Sequence, residues 1–180
     1  IVLSGCASGE IGVALKEDDY DRAREIAKWY KSIFGDRYYL ELQDHGHPKS
    51  NTHWDVQAKI NEGLIKLSKE LDIEMVVTCD GHYLTHEYQD AHEILLCVGT
   101  GSYLSDEKRM SLKDFELHLT DPRDIIDHWG EEFPEVIRNT KKIADRCDVE
   151  IELGRILIPK YPLPDGENEH SYQIGRASCR

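Results

Sequence analysis

The chain has 180 residues, 39% hydrophobic and 13 of them glycine, so it is long enough to bury the core of one ordinary domain. Its formal net charge of -13 disfavours stand-alone nucleic-acid binding, because an acidic surface repels phosphate backbones. No apolar run approaches the roughly 20 residues that span a bilayer. The five cysteines form no C-x-x-C pair, which favours a reducing cytoplasm.

Strand-like and helix-like segments alternate along the first hundred residues. Buried apolar runs predict strands, and apolar residues at helical spacing predict helices. The predicted elements are a strand at 1–5, a Gly-containing loop at 6–12, a helix at 17–35, a strand at 37–43, a polar loop at 44–51, a helix at about 52–71, a strand at 74–78 and a helix near 87–98. This rhythm predicts parallel strands flanked by helices, in an α/β layer or barrel.

The rhythm changes after residue 100. Pro134 stands at the first position of a convincing helix with Val136, Ile137 and Ile143 at helical spacing. The stretch ILIPKYPLPDGENEH (156–170) is typical of an extended connector. The final QIGRASCR (173–180) fits nothing before it and resembles a sequencing adapter translated in frame, so we expect it to be a scar.

Polar residues follow three of the predicted strands, at the edge where chemistry gathers in parallel α/β folds. The stretch TCDGHYL (78–84) places Asp80 and His82 two residues apart. In an extended segment both side chains project to one side and can converge on one ion, and a carboxylate with an imidazole suits Zn, Mn or Fe. The alternative is a polar turn with a nearby surface histidine, since so short a motif is common by chance. Cys79 points away by the same alternation and is expected to be a packed residue.

Two further loops offer candidates at the same edge. A thiolate at Cys6 can complete a Cys/Asp/His ligand set, although lone cysteines are usually small buried hydrophobes. Asp44, His45 and His47 can supply more ligands or a general acid. A solvated turn built by Gly46 and the following proline is an equally good interpretation of that loop.

Two acidic clusters are explained by helix chemistry. Asp19 and Asp21 have a D-x-D shape, but they stand at a predicted helix start and are interpreted as capping residues. Asp90 and Glu93 also open a helix, with His92 between them, and a supporting role beside Asp80 and His82 stays open.

Taken in order, several blocks are similar to one family. They are LSGCASGEI, FGDRYYLELQDHG, VVTCDGHYL, DAHEILLCVGTG, PEVIRNTKKIADRCDVEIELG and IPKYPLPDG. They resemble the PHP (polymerase and histidinol phosphatase) domain of the alpha subunit of bacterial replicative DNA polymerase III, over nearly all of residues 1–172. The resemblance implies the C-terminal part of a distorted (β/α)7 barrel that leads into the start of a polymerase palm.

The resemblance also implies residue roles and domain bounds. Asp80 and His82 match the family's last metal-ligand motif, and Cys6 matches an earlier ligand position. The other ligands and the catalytic palm aspartates lie outside this sequence, so we expect an internal fragment that is itself inactive as a polymerase. Residues 1–155 are expected to be PHP domain, 156–172 a connector toward the palm and 173–180 the adapter scar.

The function implied by the resemblance is template-directed DNA synthesis from deoxynucleoside triphosphates by the full-length protein. The implied metals are Zn or Mn in the PHP site and Mg in the absent palm, and the implied partners are primer-template DNA, a sliding clamp, a proofreading exonuclease and a clamp loader, with no membrane. The PHP site is expected to act as an exonuclease or phosphoesterase, or as a scaffold. Two alternatives stay open, namely a free-standing PHP phosphoesterase and a non-catalytic docking module.

Overall fold

The structure is a computed structural model that describes residues 1–46, 54–113, 115–155 and 162–172. Contacts within the chain define one unit at Ile1–Cys147 and a second at Asp148–Arg180. His47, one of the candidate ligands, lies outside the described residues. No helix among the described residues is both long and apolar enough to cross a membrane.

A small parallel sheet lies at the centre of the first unit. It has three strands in the order β1 (Val2–Leu3), β2 (Tyr38–Gln43) and β3 (Met75–Thr78). Val2 pairs with Tyr38, and Leu40 pairs with Met75, so all three strands end at the same edge. The predicted α/β class with parallel strands is confirmed.

Within the described ranges, six α-helices surround this sheet or follow it. They are α1 (Glu10–Lys16), α2 (Tyr20–Phe34), α3 (Trp54–Leu71), α4 (Gln89–Thr100), α5 (Pro122–Trp129) and α6 (Pro134–Arg146). The helix predicted at 17–35 is confirmed, and α2 starts three residues later and ends one residue earlier than predicted. Asp19 caps the start, because its carboxylate accepts a hydrogen bond from the Arg22 amide, and Gly35 ends the helix with a positive φ of 55°.

The core forms between the sheet and the helices packed on it. From α3, Ile60, Leu64 and Leu67 point inward at a spacing of four and three residues. On the other elements the buried apolar residues include Leu15, Ala23, Ala27, Tyr38, Leu40, Leu42, Met75, Val77, Trp129 and Val136. β2 is buried on both faces, as expected for a central parallel strand. The strands that lead to the sheet edge are therefore anchored in the core.

Two helices differ from the sequence expectation. The stretch 6–12 was expected to be a loop, but α1 begins at Glu10 within it, because Ile11, Ala14 and Leu15 form one buried stripe. α5 was not predicted at all. Its start is capped by Asp121, whose carboxylate accepts from the Arg123 amide.

α4 confirms the predicted helix near 87–98 but not a buried apolar face. Its Glu93 and Cys97 are buried, whereas Ile94, Leu95 and Val98 are 52%, 65% and 74% exposed. The periodicity thus identified the element but not the side on which it packs. The residues that point inward are Cys97 and the polar Glu93.

The second unit is described only in part. Residues 148–155 form neither helix nor strand, and residues 162–168 contain a turn at 165–166. Asn168 and Ser171 exchange hydrogen bonds that close one helical turn near Tyr172. The connector interpretation of residues 156–172 stays a prediction.

Candidate metal-binding site

The loops that follow the three strands share one cavity of about 240 Å³ at the sheet edge. Cys6 comes from the loop after β1, His45 from the loop after β2, and Asp80 and His82 from the loop after β3. The predicted ligands Cys6, Asp80 and His82 therefore line the same space. This is the arrangement expected when parallel strands end together.

Asp80 adopts a conformation that the sequence interpretation did not include. The expectation was an extended segment, but the φ of Asp80 is 48°, in the left-handed region that few non-glycine residues enter. The carboxylate oxygen Oδ2 lies 3.2 Å from His45 Nε2, and Oδ1 lies 3.9 Å from His82 Nδ1. The two residues thus converge because of a turn at Asp80 and not because of strand alternation.

The hydrogen bond of His82 selects which ring nitrogen is available. His82 Nδ1 lies 2.6 Å from the backbone oxygen of Asp80, which can only accept a hydrogen bond. In the neutral ring Nδ1 therefore carries the proton and Nε2 carries the lone pair. A carbonyl that fixes the tautomer in this way is the usual support of a metal-binding histidine.

Contacts with the start of α1 hold Cys6 at the cavity wall. Its carbonyl oxygen accepts from the Gly9 amide at 2.9 Å. A Cβ added to Gly12 of α1 would lie 2.7 Å from that same oxygen and 2.9 Å from the Cα of Ala7, so only glycine permits the approach. The thiol is reduced and exposed. Cys79 lines a different cavity, on the other side of the strand end, in agreement with its expected direction.

The donor set fits a divalent ion only in part. Asp80 supplies a carboxylate and His82 an imidazole lone pair, and such ligands suit Zn or Mn. Among the described residues, however, no group of three His, Cys, Asp or Glu side chains is close enough to hold an ion together. Asp80 and His82 are thus adjacent, and Cys6 lines the same cavity.

The described start of the loop after β2, residues 44–46, is buried and not solvated. Asp44 and His45 are only 2% and 5% exposed. Asp44 Oδ2 accepts from Trp129 Nε1 at 2.9 Å and pairs with His128 Nδ1 at 2.7 Å, while Oδ1 accepts from the Gly46 amide at 3.1 Å. Asp44 therefore fixes α5 to the sheet edge through hydrogen bonds to both of its carboxylate oxygens.

The candidates on α4, namely Asp90, His92 and Glu93, do not line the cavity. Asp90 is exposed and pairs with Lys113 at 2.6 Å, in agreement with a helix-start residue. The ring of His92 lies 5.4 Å from that of His82, and both rings line a second cavity. Glu93 is buried and accepts three hydrogen bonds from residues 109–112, a role that the macrodipole interpretation missed. No local pattern could have revealed these partners, which lie 16 to 19 residues away.

The comparisons with known proteins first give a class. Residues 1–45 match the family model of the PHP domain. The match includes β1, β2 and the two helices between them, and it ends on the loop that carries His45. The part of the chain with Asp80 and His82 lies beyond it. This class is the one that the sequence blocks indicated.

Curated relatives then identify the particular protein to which the chain is similar. DNA polymerase III subunit alpha of Deinococcus radiodurans is 35% identical over 176 residues, which is 93% of this chain. The same subunit of Thermus aquaticus is 34% identical over 180 residues, or 96% of this chain, and that of Saccharopolyspora erythraea is 36% identical over 149 residues, or 82%. The chain spans only 12 to 14% of the length of these relatives. It is thus homologous to a segment of DNA polymerase III alpha subunits, and the predicted resemblance is confirmed.

Proposed function

We propose that this chain is a segment of the alpha subunit of a replicative DNA polymerase, which extends a primer from deoxynucleoside triphosphates as a template directs. The supporting observation is the continuous similarity to DNA polymerase III alpha subunits over 82 to 96% of the chain. Within that protein, residues 1–155 would form the C-terminal portion of a distorted (β/α)7 barrel, and residues 156–172 would connect it to the polymerase palm. Mg²⁺ bound by the palm would serve nucleotide transfer.

The complete reading frame of the gene tests this proposal. If the chain is a polymerase segment, the frame continues past residue 172 into a domain with the acidic residues that bind two Mg²⁺ ions. A stop codon soon after residue 172 would instead favour a free-standing phosphoesterase. Primer extension by the protein expressed from the complete frame is the functional measurement, and the 180-residue chain alone is expected to show none.

For the cavity at the sheet edge, the proposed ligands are Asp80, His82 and Cys6, and the proposed ion is Zn²⁺ or Mn²⁺. The tautomer of His82 supports this assignment, because a proton on Nδ1 leaves the Nε2 lone pair available to an ion. A bound ion would supply a Lewis acid and an activated water for hydrolysis of a phosphate ester. Asp80 would orient His82 through its carbonyl and His45 through its carboxylate.

The role of Cys6 has a direct spectroscopic test in the complete protein. If its thiolate binds the ion, Co²⁺ placed in the site gives a sulfur-to-metal charge-transfer band that disappears in Cys6→Ser. The matched control is Cys147→Ser, because Cys147 is also a free, exposed cysteine but lies outside the cavity. An unchanged band in Cys6→Ser would exclude the thiol as a ligand.

A non-catalytic PHP module is the second candidate, since no three-ligand group exists among the described residues. In that case the domain would act as a scaffold for other replicase components. The proposed partners of the whole protein are primer-template DNA, the sliding clamp, the proofreading exonuclease and the clamp loader, in the cytoplasm. Absence of bound metal in the complete protein would favour this second function.

A further inference from the structure

One wall of the cavity comes from a stretch without helix, residues 109–113 and 115–119, which we name the bridging segment. It lies between α4 and α5. Three of its apolar side chains line the cavity beside Asp80 and His82, namely Leu112, Phe115 and Leu117. The ring of Phe115 also packs edge-on against that of His45, with 5.4 Å between centroids.

The bridging segment is hydrogen-bonded to both histidine-bearing loops through backbone groups. The Glu116 amide donates to the carbonyl oxygen of His45 at 3.1 Å. The His82 amide donates to the carbonyl oxygen of Leu117 at 2.7 Å. Since backbone positions determine where each imidazole stands, a shift of this segment would change the separation of His45 and His82.

Two side chains of α4 that do not line the cavity form hydrogen bonds with the bridging segment. Glu93 accepts from Arg109 Nη1 at 2.6 Å, from Ser111 Oγ at 2.7 Å and from the Leu112 amide at 2.8 Å. Gln89 Nε2 donates to the carbonyl oxygens of Lys113 and Phe115, at 3.0 and 3.1 Å. Together these bonds hold five residues of the segment against α4.

The environment of Glu93 stabilises its ionised carboxylate. It is only 3% exposed, and burial of a carboxylate is unfavourable unless donors compensate for the lost water. Burial raises the pKa of Glu93, but the hydrogen bonds from Arg109, the Leu112 amide and Ser111 outweigh it and leave the pKa below its ordinary value. Glu93 is therefore ionised at neutral pH, when its hydrogen bonds are strongest.

We infer that Glu93 and Gln89 are positioning residues for the metal-binding cavity, and that they act through the bridging segment on His45 and His82. The inference rests on the proposed function, because it assigns to Glu93 and Gln89 the task of holding the loops of His45 and His82 at the separation that the proposed site needs. Neither side chain touches the cavity itself. Their effect on a bound ion would be that of supporting residues, whose loss typically lowers metal affinity about 10- to 100-fold.

Amide hydrogen exchange tests the positioning role without any metal. In the complete protein, Glu93→Gln should raise the exchange rates of the His82 and Glu116 amides by about tenfold or more, because the segment that holds them opens locally. The Leu42 amide in the core should keep its rate. Asp90→Asn is the matched control, since it removes an exposed pair between the same helix and the same segment.

Zinc affinity then tests the link to function. Titration with Zn²⁺ against a chelator should show about tenfold weaker binding in Glu93→Gln and an unchanged affinity in Asp90→Asn. If Glu93→Gln fails to fold, Gln89→Ala removes two of the five hydrogen bonds from the less buried side and should show the same direction of change.

The outcomes separate the inference from the proposal beneath it. Unchanged exchange at His82 and Glu116 in both variants would overturn the positioning role. Faster exchange with unchanged zinc affinity would overturn it too, because the segment would then not control the ligands. A wild-type protein that binds no zinc would contradict the proposed metal site, while faster exchange in the variants would still support the mechanical link.

Discussion

The loops after β2 and β3 occupy equivalent places at the sheet edge, yet their aspartates have different tasks. Asp44 is 2% exposed and all its hydrogen bonds go to protein groups. The side chain of Asp80 is 31% exposed, and it faces the cavity beside His45 and His82. Position at a strand end therefore does not define a ligand. The donors that surround the carboxylate decide whether it stabilises the fold or remains available to an ion.

The largest expected effect concerns the stability role of Asp44. Asp44→Ala should lower the free energy of unfolding by about 2–4 kcal/mol, because the buried Nε1 of Trp129 and the Gly46 amide lose a charged acceptor. Urea titration of the wild type and the variant provides the measurement. Asp80→Ala is the matched control and should lower it by less than about 1 kcal/mol. Equal losses would mean that the two loops do not differ as described.

A smaller effect is expected at the partner of Asp44. Trp129→Phe keeps an aromatic ring in the core but removes the Nε1 donor, so we expect a loss of about 1–2 kcal/mol in the same urea experiment. In Asp44→Ala the hydrogen bond is already absent, so removing the Trp129 Nε1 donor as well breaks no further bond. The two substitutions together should therefore cost clearly less than their sum, and strict additivity would show that the hydrogen bond contributes nothing.

Backbone conformation gives the third comparison. Asp80→Gly and Asp80→Ala both remove the carboxylate, but only alanine keeps a Cβ at the φ of 48°. The glycine variant should be more stable by about 1 kcal/mol, as judged by thermal or urea unfolding. At Asp44, whose φ is not positive, the order should reverse or vanish. A more stable alanine variant at position 80 would contradict the left-handed turn.

The smallest expected effect is a pH dependence from Glu93. Its folded-state pKa lies below the ordinary value of 4.5, because the bonds from Arg109, Leu112 and Ser111 outweigh burial. The stability it contributes is thus complete above about pH 4.5 and is lost as pH falls through the lower folded-state pKa. Unfolding measured from pH 6 to 3 should show a steeper decline in wild type than in Glu93→Gln. Parallel curves would mean that Glu93 is not stabilised as an anion.

Much of the fold follows from local pattern. The bounds of α2 came from Asp19 and Gly35, and those of α3 and β3 from their apolar residues, because these signals lie within the element itself. α5 was missed, although Asp121 followed by Pro122 is a local signal for a helix start. It is short, and its main anchor is the bond from Trp129 to Asp44, a residue 85 positions earlier. A single sequence does not show such a pair.

In the candidate site, too, local sequence predicted some residues, and tertiary contacts determined the others. The sequence predicted Asp80, His82 and Cys6 at one edge of the sheet, and in the structure they line one cavity. It could not distinguish Asp44 from Asp80, since both follow a strand and only tertiary contacts separate them. Nor could it find the bridging segment, which has no periodicity and is held by hydrogen bonds from Gln89 and Glu93.

Metal content of the protein expressed from the complete reading frame tests the proposed site most directly. Elemental analysis should find Zn or Mn bound to the wild type and less of it in Asp80→Ala and in His82→Ala. His86→Ala, which removes an exposed histidine outside the cavity, should retain the wild-type amount. Unchanged metal content in both Asp80→Ala and His82→Ala would contradict their assignment as ligands.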